Sequence, residues 1–278
     1  MSLRNNTVAV VGLGAIGLPV AKNLAKAGVN VQVWNRSDAK AEEAVAAGAS
    51  RVQKLSDIDA AIVLTVLPDM PQVRSVLDDG LLAALKKSDV LVIMGTVSPV
   101  AVPELGKELA EKGVHLLDAP VSGGDVGAQN ASLSIMVGGD IDVLRLVEPT
   151  FLKLGSTVRH LGPLGSGELA KACNQIVVAV TLTALAEAVT LARKAGLDTK
   201  IVLDILAGGL ANSQALTVKR EKIETSDYRP GGSAVFQLKD LRFALEAGKD
   251  SGTALPVTEE VTKLFVLGYG VWHIAYGI

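Results

Sequence analysis

Cysteine occurs once in the 278-residue chain, at Cys173, so no intrachain disulfide can form. That fits a reducing cytoplasm. Aromatic residues make up only 3% of the chain, which leaves little material for base-stacking platforms. The formal net charge is -2, so no basic field argues for nucleic acid or an anionic membrane surface. His115, His160 and His273 show no pairing that suggests a metal site, and His115 falls inside a strand pattern. The opening MSLRNN lacks the apolar core of a signal peptide. Apolar runs such as IVVAVTLTALAEAV are interrupted and too short for a spanning segment with proper flanks. The expectation is a soluble, cytoplasmic, enzyme-sized protein with no metal and no nucleic-acid or membrane partner.

At 49% hydrophobic and 20% charged, the chain is too long for one small core and suits two domains. Short β-branched runs recur in its first half: TVAVV (7–11), NVQVW (30–34), AAIVLTV (60–66), DVLVIM (89–94), VHLLDA (114–119) and LSIMVGG (133–139). Alanine-, lysine- and glutamate-rich stretches with helical spacing lie between most of them. Continuous apolar strands separated by helices predict a mainly parallel sheet covered on both faces. Strand signals stop near residue 163. GSGELAKACNQIVVAVTLTALAEAVTLARKAGLD then reads as one long helix of about 40 Å, with Gly196 suited to its C-terminal cap. Four more helical patterns follow. The predicted class is an α/β Rossmann-type doubly wound sheet over 1–162. An all-α domain over 163–278 follows, joined to it by the long interdomain helix.

Gly12, Gly14 and Gly17, with Leu13, Ala15 and Ile16 between them, form a G-x-G-x-x-G pattern from strand to helix. The first glycine allows the tight turn, the second lets a pyrophosphate approach the backbone, and the third lets helix and strand pack closely. Free N–H groups at the helix start favour the phosphates. Where an NAD site usually carries a carboxylate for the ribose 2′-OH, this chain reads Asn35-Arg36-Ser37. A guanidinium there binds a 2′-phosphate and stacks on adenine, so NADP is expected over NAD. The plainer account makes Arg36 a surface residue, with Ser37 or Asp38 capping the next helix; both accounts can hold together.

In an open parallel sheet, ligands sit beyond the carboxyl ends of the strands. VLPD (66–69), with Leu67 and Pro68, follows one strand, and MGTVSP (94–99) follows the next. Thr96 is therefore placed either to line the nicotinamide side or to cap a helix starting near Ser98. Pro120-Val121-Ser122-Gly123-Gly124 can aim consecutive N–H groups at an anion, or it is an ordinary turn before LSIMV. Lys171 and Asn174 are three apart on one helix face. A lysine there can lay its stem on apolar surface and keep its ammonium wet, or it can work in a cleft between two domains.

Taken together, VGLGAIGLPVAKNL, NRS, VLPD, GTVSP, DAPVSGG, GSGELAKACNQ and FQLKDL stand in the order found in the β-hydroxyacid dehydrogenase family, which the chain resembles from about Thr7 to about Leu255. The resemblance implies hydride transfer between NADP and a short β-hydroxyacid, semialdehyde or glyoxylate-like substrate bearing a carboxylate. It implies that Ser122, Gly123 and Gly124 hold that carboxylate and that Lys171 is the acid–base. Asn174 and Gln175 would position substrate and lysine, Phe236 would wall the pocket, and Lys239 would reach the cofactor side. Asp240 is left open between a structural and a functional role. Cys173 is read as a small packing residue on another helix face. A homodimer or homotetramer joined through the helical halves is also implied.

Two competing readings are an imine reductase, against which Lys171 and PVSGG argue, and a non-catalytic NADP-binding module, which need not keep Lys171 and Asn174. 6-Phosphogluconate dehydrogenase, a relative, is much longer and carries a phosphate-binding cluster that this sequence does not show. The chain departs from the family at its end. GYGVWHIAYGI has no acidic residue, and Trp272 and Tyr276 are expected to pack against the helical domain or a partner subunit.

Overall fold

The computed structural model of the protein describes residues 2–227 and 233–275, with side chains as far as Leu267. Trp272, His273 and Tyr276 therefore lie outside the described side chains. One compact unit runs through Lys171 and a second begins at Ala172.

The first unit alternates strand and helix: β1 (Thr7–Val11), α1 (Gly17–Lys26), β2 (Asn30–Trp34), α2 (Asp38–Val45), β3 (Ser50–Arg51), β4 (Ile62–Thr65), α3 (Met70–Val76), α4 (Leu82–Ala84), β5 (Val90–Ile93), α5 (Val102–Glu111) and β6 (His115–Asp118). It ends with β7 (Val121–Ser122), α6 (Gly124–Gln129), β8 (Ser134–Gly139), α7 (Ile141–Phe151) and β9 (Thr157–Gly162). The strand order is β3-β2-β1-β4-β5-β6-β8-β7, with β9 beside β8. From β3 to β6 every pairing is parallel. β8 then runs antiparallel to β6 and β7, while β9 is parallel to β8. Strands β3 and β9 escape the sequence pattern because one is two residues long and the other, TVRHLG, is largely exposed and polar.

Alternation along the central strands explains the two helical layers. Val8, Val10, Ile62, Leu64, Val90 and Val92 face a core shared with Val20 and Leu24 of α1 and Phe151 of α7. Ala9, Val11, Val63, Leu91 and Ile93 face the other core, with Val73 of α3 and Leu105 and Leu109 of α5. Both faces are dry, so these strands read as unbroken apolar runs. Burying a Val, Leu or Ile side chain contributes about 1.5–3 kcal/mol, which is why the middle of the sheet is so largely aliphatic.

α8 (Ser166–Lys194) begins in the first unit and continues into the second. At its far end Gly196 has φ +78°, Leu197 N–H bonds Ala192 O at 3.0 Å and Gly196 N–H bonds Arg193 O at 3.1 Å. This is the glycine-capped ending foreseen for that position. By length and composition alone α8 could cross a bilayer, which corrects the expectation that its apolar run is too short. Core helices pass the same test, and its first turn is hydrogen-bonded into the β-sheet unit.

The second unit adds α9 (Thr199–Gly208), α10 (Gln214–Thr225), α11 (Ala234–Asp250) and α12 (Pro256–Ala275). Leu185 and Val189 of α8 pack with Leu203 and Leu216, and Ala179 packs with Leu241 and Val261.

Candidate active site

Each glycine of the first turn has a separate steric reason. Gly12 has φ +95°, and a Cβ there would stand 2.6 Å from Val66 O. A Cβ on Gly17 would stand 1.9 Å from Gly12 O. At Gly14 nothing lies within 4 Å, so that side of the turn is open to a phosphate. Asn35 holds the turn from β2: its Oδ1 accepts from Leu13 N–H at 2.9 Å and its Nδ2 donates to Ser37 O at 2.9 Å. Arg36 and Ser37 are left exposed. Ser37 sits at the α2 N-cap without a side-chain capping bond. Asp38 pairs with Arg51, so it is already engaged. The turn, its open centre and the exposed guanidinium fit a dinucleotide.

The loops after β4 and β5 touch through bare backbone. A Cβ on Gly95 would stand 1.7 Å from Leu67 O. Pro68 is exposed, and Thr96 is half-buried. α5 starts only at Val102, with Ala101 as its N-cap, so Thr96 is not the cap of that helix. After β6 the chain turns through Ser122, which pairs with Ser134. Gly123 and Gly124 follow with φ +126° and +63° and open directly into α6. The ordinary turn considered for this stretch is thus a helical insertion, and the two exposed glycines lie at its start.

The start of α8 is built from the sheet. Asp118, at the end of β6 and wholly buried, accepts from Gly165 N–H at 2.8 Å and from Glu168 N–H at 2.9 Å. It does for α8 what a local N-cap side chain does for most helices. Burial pushes its carboxyl above the ordinary value, and the backbone N–H donors of Gly165 and Glu168 hold back part of that rise. Glu168 is 1% exposed, and its Oε2 accepts from Val97 N–H at 3.2 Å. Lys171, one turn on, is 8% exposed. Lys171 is therefore a buried residue rather than one of the outer surface.

In the second unit a chain of polar contacts gathers three of the expected residues. Asn174 Nδ2 donates to Gln175 Oε1 at 3.0 Å, and Gln175 Nε2 donates to Asp240 Oδ2 at 2.6 Å. Lys239 Nζ lies 3.0 Å from Asp240 Oδ1 and 4.7 Å from the centre of the Phe243 ring. Gln237 Nε2 donates to Gln175 O at 3.2 Å. Asp240 is buried between lysine and amide. Phe236 is 52% exposed at the start of α11, and Cys173 is exposed. His160 Nε2 donates to Gly139 O at 2.7 Å.

Asp118 and Glu168 are the residues that sequence reasoning passed over. Their signals are a carboxylate closing an apolar strand run, VHLLD, and an acidic residue three positions before a lysine.

Fold and site together define a nicotinamide-dependent oxidoreductase. The first unit matches the NAD-binding domain of 6-phosphogluconate dehydrogenase over residues 7–162, and residues 165–269 match the NAD-binding domain of NADP-dependent 3-hydroxyisobutyrate dehydrogenase. The 2-hydroxy-3-oxopropionate reductase of Escherichia coli is 38% identical over 92% of this chain and 88% of its own length. The NAD-dependent L-serine dehydrogenase of Pseudomonas aeruginosa is 34% identical over 94% and 91%. The solved 3-hydroxyisobutyrate dehydrogenase of Mycobacterium tuberculosis with L-serine is 30% identical, covers 99% of this chain and 95% of its own, and superposes with a TM-score of 0.84. The chain belongs to the β-hydroxyacid dehydrogenase family.

Proposed function

We propose that the protein is an NADP-preferring oxidoreductase that interconverts a short β-hydroxyacid and its semialdehyde, or reduces a glyoxylate-like acid, with Lys171 as acid–base. The observation that carries this reading is the burial of Lys171 on a helical turn fixed by Asp118. Bound nicotinamide supplies or accepts the hydride. Ser122 and the Gly123 and Gly124 N–H groups bind the substrate carboxylate, as an open backbone loop does for an anion. Lys171 donates a proton to the carbonyl oxygen in reduction and takes it from the alcohol in oxidation. Asn174, oriented through Gln175 and Asp240, positions the lysine and the substrate oxygen, and Lys239 serves the cofactor side. The E. coli and M. tuberculosis relatives carry names that point to three-carbon or branched four-carbon acids, which supports a small carboxylate-bearing substrate.

Arg36 is exposed beside an Asn35 already committed to Leu13 and Ser37, and Asp38, the next carboxylate in sequence, is paired with Arg51. That supports a 2′-phosphate contact. The Pseudomonas relative, named for NAD, marks the alternative that the Arg36 experiment in the Discussion separates. In the same reading the protein is cytoplasmic and assembles as a homodimer or homotetramer.

Assay with NADPH against glyoxylate, succinic semialdehyde, tartronate semialdehyde and methylmalonate semialdehyde identifies the substrate. On the best of these, Lys171→Ala is expected to lower kcat by about 10²-fold or more, the usual scale of a positioned acid–base. Near-normal turnover in that variant rules the role out.

A further inference from the structure

We propose that Glu168 is the positioning residue of Lys171, a buried carboxylate one helical turn before it that serves as its counter-charge and ties it to the loop after β5. This rests on the acid–base role given to Lys171 above. Glu168 is held at both ends: its backbone N–H donates to Asp118 Oδ2 at 2.9 Å, and its carboxylate accepts from Val97 N–H at 3.2 Å. Its side chain therefore cannot swing to solvent without giving up a buried donor. Lys171 follows three positions later, on the same face of α8, and is nearly as well buried.

A carboxylate or an ammonium removed from water is driven towards its neutral form unless an opposite charge stands beside it. Two groups of opposite sign within one buried turn supply that charge to each other. Glu168 and Lys171 are the ionisable residues of this turn. From β6 the turn meets Asp118, whose carboxylate is committed to the N–H groups of residues 165 and 168, and from the β5 loop it meets the uncharged Val97 backbone. Val97 adjoins Thr96, the residue expected to line the nicotinamide side. Glu168 thus fixes where the amine points relative to that loop and favours its protonated, donating state.

The test is a double-mutant cycle on the full-length chain with NADPH and whichever semialdehyde the wild type reduces best. Glu168→Gln keeps an acceptor for Val97 N–H and removes the charge. It is expected to lower kcat by about 10-fold to 100-fold, the scale of a misaligned reacting group. NADPH affinity by fluorescence titration should change less than about twofold. In the Lys171→Ala background the same substitution should change residual turnover by less than about twofold, because a residue that acts through the lysine has nothing left to act on. An equal loss in both backgrounds marks a merely structural role and overturns the proposal, as does wild-type turnover in Glu168→Gln. If Lys171→Ala alone leaves kcat intact, the acid–base reading falls first and takes this one with it, so the two failures are distinct. Should the glutamine variant fail to fold, the cycle is run with Glu168→Asp, which keeps the charge but withdraws it by about 1.5 Å and reads the same coupling.

Discussion

The proposed preference for NADP is tested at single residues at the end of β2. Asn35 spends both ends of its amide on Leu13 and Ser37, so in the proposed function the discrimination between the cofactors falls to the exposed Arg36. A charge-assisted hydrogen bond contributes about 1.5–3 kcal/mol, and each 1.4 kcal/mol is about tenfold in affinity. Arg36→Ala is therefore expected to raise the KM for NADPH about tenfold or more while leaving the KM for NADH within about twofold, measured by steady-state kinetics with each cofactor. Equal changes for both would remove the 2′-phosphate assignment. The three glycines of the turn were legible in the sequence because their spacing encodes backbone sterics directly. The locked amide of Asn35 was not, because its partner lies 22 positions earlier and only folding brings β1 and β2 together.

The first turn of α8 shows what a helix start held from a distance implies. Asp118 replaces a local cap, and its partners lie 47 and 50 positions away. Two hydrogen bonds to a charged group contribute about 1.5–3 kcal/mol each, whereas bringing a carboxylate out of water costs several. Burial wins, since the folded-state pKa is raised. The folded protein then holds its proton to higher pH than the unfolded chain. Asp118 contributes most to stability when both states are protonated, and that contribution declines as pH rises from the unfolded value of 3.8 through the folded value. Above the folded pKa the loss levels off. Urea unfolding of wild type and Asp118→Asn across this range is expected to give a stability difference that shifts against the wild type as pH rises; a pH-independent difference would contradict it. The same distances explain why Asp118 and Glu168 went unread. Their partners are backbone N–H groups, which carry no residue identity for a sequence pattern to detect.

At the scale of the whole molecule, the doubly wound order and the helical second unit were readable from two periodicities, one of strands buried on both faces and one of helices. The antiparallel return of β8 and the helical insertion at Gly124 were not, because turns that reverse a strand share their residues with turns that do not. The second unit also leaves Val177, Leu191 and Ile205 at 66%, 73% and 68% exposure. A homo-oligomer that covers them predicts sedimentation of the wild type as a dimer or tetramer at micromolar concentration. Leu191→Glu and Ile205→Glu should move it towards monomer, since an unpaired charge in such an interface is strongly unfavourable; a monomeric wild type would dismiss the assembly. The contact of Gly95 with Leu67 O carries its own consequence for inheritance. Every single-base missense change in a glycine codon encodes a residue with a Cβ, so no missense change at position 95 is expected to be neutral, and natural variation among close relatives should leave that codon free to drift only in its silent third base.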